Sequence, residues 1–333
     1  MQELVSLQEI KAAAKNLPRT IRRTPMVALA RRTDEVGHER LLVKAENLQV
    51  TGAYKVRAAF TLVNDLSPSE RKKGIVLASS GNFAQGFSYA CSQVGMKVVA
   101  VMLDRTSEFK LRETSGYGAE IFLCGNNALG RQSVVDRLAR ERGMVAIDTW
   151  EDRRLIIGHG TVGLEIIEDC PDLETVLVPV SSGGMAAGIA VAVKELRPNA
   201  RVIGVQPETA NAAFVSLRQG KPTAIDYWNT IADGLSAVRP GELPFLHIQK
   251  YLDDIVLVSE EEIAQAFRTL LLRCKIVAEP AGAVAPAALL SGKVSADRTT
   301  VAVVGGGNVT PMMVEQMLRM SKSVKVCDDK LQV

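Results

Sequence analysis

The chain has 333 residues, 47% hydrophobic and 23% charged, with a formal net charge of +3. This is the composition of a globular enzyme with one large or two smaller domains. No basic stripe interleaved with aromatics marks a nucleic-acid binder, and no run reaches the roughly eighteen apolar residues of a membrane span. The densest basic stretches, Arg19 to Arg32 and Arg137 to Arg142, are expected to be solvated helix faces.

The N-terminal MQELVSLQEIKAAAKNL carries charges throughout and reads as an amphipathic helix, not a signal peptide. Eight short apolar runs then alternate with helix-like stretches. They begin at Leu41, Gly74, Lys97, Ala119, Thr175, Arg201, Asp254 and Thr300. Their continuous apolar character predicts strands covered on both faces, as in parallel sheets. Helices are predicted over Phe83 to Val94, Ser133 to Arg142, Met185 to Leu196 and Glu260 to Leu272. Ser259 and Glu262 form a capping-box pattern, and Gly95, Gly143 and Gly292 read as helix stops. The alternation implies βαβ units and an α/β fold. Strands from Gly74 to about Trp150 are expected in one sheet and those from about Thr175 onward in another, with a ligand between them at the strands' carboxyl ends.

The five cysteines (Cys91, Cys124, Cys170, Cys274, Cys327) are scattered. They show no metal-ligand spacing, so no metal site is expected, and they fit buried thiols in a reducing cytoplasm. His38, His159 and His247 have no visible partners and are expected to be structural or surface residues.

Lys55 stands out within TGAYKVRAAF, because three glycine-bearing runs lie elsewhere in the chain. SSGGMAAG, Ser181 to Gly188, follows a strand and opens a helix, the arrangement that cradles phosphate on backbone N–H groups. A close-packed turn would leave the same trace. The dinucleotide pattern fits poorly, since the glycines fall at 183, 184 and 188 and the next strand ends near Gln206 rather than an acidic residue. SSGNFAQG, Ser79 to Gly86, also opens a helix. Asn82 there is either a donor to a ring oxygen or a residue tolerating a left-handed turn. GGGNV, Gly305 to Val309, allows a planar ring to approach the backbone. Glu279, in EPAGAVAP, is either a site carboxylate or a dipole partner for the helix it precedes. A lysine amine that can form a Schiff base, together with a phosphate-binding turn, is what pyridoxal 5'-phosphate (PLP) requires.

In this order the runs resemble the fold-type II PLP enzymes, and more narrowly the serine/threonine dehydratase branch that also contains serine racemase. GHGTVGLEI (Gly158 to Ile166), IADGLSAVRPGEL (Ile231 to Leu243) and EPAGAVAPAALLSGK (Glu279 to Lys293) resemble further blocks of that family. The resemblance implies a two-lobed, tryptophan-synthase-β-like fold with two mainly parallel sheets flanked by helices. Residues 1–72 and 151–333 would form the large PLP-binding domain, and 73–150 the small one. Lys55 would hold PLP and later act as base at the substrate Cα. Tyr54 would pack beside the ring, and Ser181, Ser182, Gly183, Gly184 and Met185 would bind the phosphate. Asn82 would bond the ring hydroxyl, with Glu279 and Gly305 also at the cofactor. Ser79, Ser80, Gly81, Asn82 and Phe83 would hold the substrate.

The implied activity is a cytoplasmic ammonia-lyase converting a small β-hydroxy amino acid to a 2-oxo acid and ammonia. Serine and threonine are the default substrates, and hydroxyaspartate and phenylserine the analogues. The family also implies a homodimer or homotetramer.

Four departures bear on this. Gly305 replaces a serine that bonds the pyridine nitrogen. Phe83 replaces a histidine. Ser181 and Ser182 replace glycines. Gln206 and Ala212 stand where serine racemase and its relatives offer acidic metal ligands. Ser80 matches the second acid/base of serine racemase, so a racemase is the alternative activity, and Gly305 motivates a second alternative, a PLP-binding protein with little catalysis. The short stretch after GGGNV predicts no regulatory domain of the biosynthetic threonine deaminase type.

Overall fold

The computed structural model describes residues 3–29, 41–126, 130–295 and 297–320. Among them are ten strands: β1 (Met26–Ala28), β2 (Leu41–Ala45), β3 (Ile75–Ala78), β4 (Val98–Met102), β5 (Glu120–Leu123), β6 (Val145–Ile147), β7 (Thr175–Pro179), β8 (Arg201–Pro207), β9 (Asp254–Val258) and β10 (Thr300–Val304). They form two sheets. One has six strands in the order β1-β2-β10-β7-β8-β9, and the other four in the order β5-β4-β3-β6. Every pairing is parallel except β1 with β2. The chain is therefore an α/β protein of the expected class, with helices covering both sheets.

The eight predicted strands all occur, seven of them trimmed by a residue or two and β8 extended by one, to Pro207. β4, β7 and β10 are buried at every position, which explains their unbroken apolar sequence. The Ser259–Glu262 capping box opens the helix Glu260–Leu272, and Gly95, Gly143 and Gly292 take positive φ where helices stop. The helix Leu7–Asn16 is capped by Ser6 and buries Ile10.

Two expectations change. The described part of the basic stretch from Arg19 is not helical; Arg23 instead pairs with Glu168 and Asp169. Cys124 and Cys274 are half-buried, whereas Cys91 and Cys170 are buried. His38 and Cys327 lie outside the described residues.

The strand ends set the position of the site. β3 runs into Ser79, β7 into the serine–glycine turn at Ser181, and β10 into Gly305. Each is a carboxyl end, where an open parallel sheet leaves a crevice for ligands. Behind them the helix Arg153–Asp169 is buried along most of its length. A Cβ on its Gly158 would lie 2.5 Å from the Cα of Ala58, so only glycine lets the helix Lys55–Asp65 lie against it. Among the described residues, no helix is long and apolar enough to cross a membrane.

Candidate active site

Lys55 is the first residue of the helix Lys55–Asp65. The segment before it is tied to the glycine run after β10. Ala53 bridges Gly306, and the Tyr54 N–H donates to the Gly305 carbonyl at 3.1 Å. The Lys55 amine lies 4.5 Å from the centroid of the Tyr54 ring and 4.1 Å from that of Phe83. Burial pushes its pKa down to about 7, against the opposing pull of Glu279. A substantial fraction is therefore neutral at physiological pH, the form that attacks a carbonyl.

The helix is anchored two residues further on by Arg57. Its guanidinium donates to Glu46 through Nε and Nη2, each at 2.8 Å, and to Glu165 at 2.6 and 3.0 Å. Lys44 adds a contact to Glu165 at 2.7 Å, and the Thr24 hydroxyl donates to Glu46 at 2.5 Å. The side chains of Lys44, Glu46 and Arg57 are at most 1% exposed, so each charge depends on the others.

Facing Lys55 is the turn Ser181–Met185, which opens the helix Gly184–Leu196. Gly183 has φ +104, and a Cβ there would lie 2.7 Å from Ile248 Cδ1. No side chain caps this helix. Its first-turn amides thus point into the site with no intrahelical acceptor, at the positive end of the helix dipole. The Ser181 hydroxyl accepts from the Ala237 N–H at 3.4 Å.

The loop after β3 is built differently. The Ser79 hydroxyl accepts from the Gly81 and Ala84 N–H groups, both at 3.3 Å, and so caps the helix Asn82–Gln93. The Ser80 hydroxyl turns toward the loop after β4, accepting from the Leu103 N–H at 3.2 Å and from the Thr106 hydroxyl at 3.0 Å. Phe83 lines the same pocket as Lys55, Tyr54 and Ser181–Met185. Asn82 lacks the left-handed backbone, since only Lys275 among described non-glycine residues has positive φ.

Asn82 Nδ2 donates to Glu279 Oε1 at 2.8 Å. Glu279 precedes the helix Pro280–Leu290 but makes no capping bond to it. Its carboxylate instead lies against Gly306, where a Cβ would be only 2.4 Å from Oε1. Burial raises the Glu279 pKa to about 7, helped by Asp233 and opposed by Lys110, Asn82 and Lys55. Gly305 leaves space beside the Tyr54 ring, and a Cβ there would meet it at 3.4 Å.

His159 was not expected here. It is 1% exposed, its ring centroid is 4.7 Å from that of Tyr54, and its Nδ1 has no hydrogen-bond partner. Burial holds its pKa well below the usual value, with Lys55 and Arg57 adding repulsion. It is a neutral wall of the pocket. The clue in the sequence was its place in GHGTVGLEI. His247 is structural: Nε2 accepts from the Val5 N–H at 2.9 Å, and Nδ1 contacts the Leu243 carbonyl at 2.8 Å. Lys110 and Asp233, which form an ion pair, and Asn308 were also not singled out. Gln206 uses its amide internally, bonding Val180, Ala210 and Phe214.

The residues fit PLP. The lysine amine is readily neutral, the uncapped helix start suits a phosphate, and glycine at 305 and 306 leaves room beside an aromatic ring. Residues 17–306 match the family described as "Pyridoxal-phosphate dependent enzyme". The chain belongs to this family and is a PLP-dependent lyase.

It is 38% identical to the L-threonine ammonia-lyase of Thermotoga maritima over 95% of this chain and 78% of that protein. It is 41% identical to the catabolic L-threonine dehydratase of Escherichia coli K12 over 83% and 85% of the two chains. Among solved structures it is similar to the serine racemase of Dictyostelium discoideum, with a TM-score of 0.83, 33% identity, and coverage of 92% and 99%.

Proposed function

We propose that the chain converts a small β-hydroxy amino acid to a 2-oxo acid and ammonia. L-threonine and L-serine are the first candidates, followed by analogues such as hydroxyaspartate or phenylserine. The observation that carries this is the Lys55 amine, readily neutral and set between Tyr54 and Phe83, in one pocket with the uncapped turn Ser181–Met185. The relatives named for threonine supply the substrate class.

In this reading the large lobe comprises residues 1–72 and 151–333, and the small lobe 73–150. Lys55 is the attachment point for the cofactor. The amides of Ser182 to Met185 hold its phosphate, with Ser181 shaping the turn. Asn82 donates to its ring oxygen, Tyr54 packs beside it, and Glu279 and Gly305 border the ring. The loop Ser79–Phe83 receives the substrate carboxylate on its first-turn amides, and Phe83 closes the pocket with an apolar wall. Bound PLP supplies an electron-withdrawing ring that stabilises negative charge at the substrate Cα. Lys55, which would hold the cofactor, would with its amine free take the Cα proton on Nζ. Loss of the β-hydroxyl as water, then hydrolysis, gives the 2-oxo acid and ammonia.

The test is a panel of amino acids offered to PLP-loaded protein, with 2-oxo acid release and the D/L ratio read together. Oxo acid from threonine, serine or a larger β-hydroxy amino acid supports the lyase reading. Interconversion of enantiomers without oxo acid would replace it with a racemase, for which Ser80 is the second acid/base. No turnover with PLP bound would replace it with a binding protein.

Two further outcomes are expected. Below about pH 7 the Lys55 amine is protonated, so the rate of PLP uptake by apo-protein falls roughly tenfold per pH unit. Stopped-flow absorbance across pH 5 to 8 checks this. Gly305→Ser should fold with a stability change of at most about 1 kcal/mol, because its Cβ meets Tyr54 and Met185 at ordinary contact distance. The same variant should change the ratio of elimination to racemisation. An unchanged ratio would mark Gly305 as a packing substitution.

A further inference from the structure

The run after β10 contributes a side chain as well as its glycines. Asn308 Nδ2 lies 3.0 Å from the Thr51 carbonyl oxygen, 2.9 Å from Asn82 Oδ1 and 3.1 Å from Gln85 Oε1. The two ends of an amide are alike in shape, and hydrogen-bond partners decide which end faces where. The Thr51 carbonyl can only accept. The end of Asn308 facing it is therefore the NH2 group. The end of Asn82 facing that NH2 must then be oxygen, and Gln85 is fixed in the same way. The NH2 of Asn82 is consequently turned the other way, toward Glu279. The Thr51 carbonyl, through Asn308, and the Glu279 carboxylate thus orient Asn82 from its two ends, with Gln85 Oε1 sharing the second Asn308 hydrogen.

The local backbone is shaped to admit Asn308. Gly52 has φ +71, and a Cβ on it would lie 2.2 Å from Asn308 Oδ1. The Gly307 N–H donates to the Gly52 carbonyl at 2.9 Å, so the loop before Lys55 and the loop after β10 are joined at this point. Asn82 has two amide hydrogens, and Glu279 takes one. Among the described residues the other has no acceptor, which leaves it for a ligand oxygen beside Glu279 and Gly306.

We propose that Asn308 is a positioning residue: pinned by the Thr51 carbonyl, it makes Asn82 present its NH2, and not its oxygen, to the ring oxygen of bound PLP. This rests on the reading above, in which Asn82 lies beside that oxygen. A donor stabilises negative charge there, whereas a carbonyl oxygen repels it.

Asn308→Asp and Asn308→Ala test the proposal together. Aspartate has nearly the same size, but both its carboxylate oxygens accept. Asn82 and Gln85 must then turn their NH2 groups toward it, and the oxygen of Asn82 swings to the ring side. Alanine removes the constraint from Asn308 and leaves the NH2 of Asn82 held by Glu279 alone. Packing alone ranks alanine as the worse change, because it deletes more atoms. Orientation ranks aspartate as the worse.

The readouts are the PLP dissociation constant, the pH midpoint of the visible absorbance of PLP-loaded protein, and kcat and KM separately. Asn308→Asp is expected to weaken PLP binding about tenfold or more and to move the midpoint by about one pH unit. It should lower kcat with less effect on KM. Asn308→Ala should shift each quantity in the same direction by less. Alanine equal to or worse than aspartate, or a wild-type midpoint in both, overturns the proposal. If the aspartate variant does not fold, a wild-type midpoint in Asn308→Ala alone overturns it. Retention of the PLP band in Lys55→Ala would instead overturn the site reading on which the proposal rests.

Discussion

Lys55→Ala is expected to lose covalent attachment of PLP and at least about a thousandfold in turnover. Two separate functions are removed with the amine: the attachment point and the group that takes the Cα proton. The protein should still fold. Lys55 stands at the start of its helix, and alanine is a strong helix former. Its amine makes contacts with two aromatic faces rather than an ion pair, and Glu279, the buried carboxylate that feels its charge, keeps the bond from Asn82. Borohydride treatment of PLP-loaded wild type, followed by peptide mass spectrometry, should place the modification on Lys55. The same treatment of the alanine variant should leave that peptide unmodified. PLP found on another lysine, with turnover intact in the variant, would sink the assignment.

The second large effect concerns stability. Arg57→Met should destabilise the fold by about 3–5 kcal/mol, because Glu46 is left without a cation in a site from which water is excluded. Glu165 keeps Lys44, but among the described residues Glu46 keeps only the Thr24 hydroxyl. Arg57→Lys should recover little, since a single ammonium cannot reproduce a fork that reaches both carboxylates. Pairing Arg57→Met with Glu46→Gln should recover a substantial part, because the stranded charge is then gone. Urea unfolding of the apo-proteins measures all three. A loss in Arg57→Met below about 1 kcal/mol would mean that water reaches Glu46 and relieves the charge. Because Arg57 lies two residues from Lys55, weaker PLP binding should accompany the loss of stability.

These residues also show where the sequence stops being informative. β4, β7 and β10 were legible because a strand covered on both faces must be apolar throughout, whereas β5 was legible from its apolar residues although the sheet edge leaves it exposed at both ends. β1 and β6 were not, since three residues carry no period. The turn at Ser181 was legible because uncapped amides and small residues are required locally. Arg57 looked like any helix-face cation. Its burial depends on Glu46, 11 residues before it, and Glu165, 108 residues after it. His159 and Asn308 share that problem, because their neighbours are brought together only by the packing of distant segments. Ser79 was legible from its place in a glycine-bearing loop, but not the bonds its hydroxyl accepts from the Gly81 and Ala84 N–H groups, which shape that loop.

The order of the six-stranded sheet has a consequence for how the protein is made. β10 lies between β2 and β7, pairing Thr300 with Leu41 on one side and with Thr175 on the other. The loop before Lys55 and the loop after β10 that it is joined to therefore wait for a strand that leaves the ribosome after every other strand of both sheets. The four-stranded sheet, complete by Ile147, has no such delay. Joining β2 to β10 closes a loop of more than two hundred residues, and contacts that distant in sequence form slowly. Until β10 emerges, the nascent chain holds all four strands of the small sheet but an unfinished cofactor site. During that interval the apolar edges of β2 and β7 are unpaired and open to misassociation.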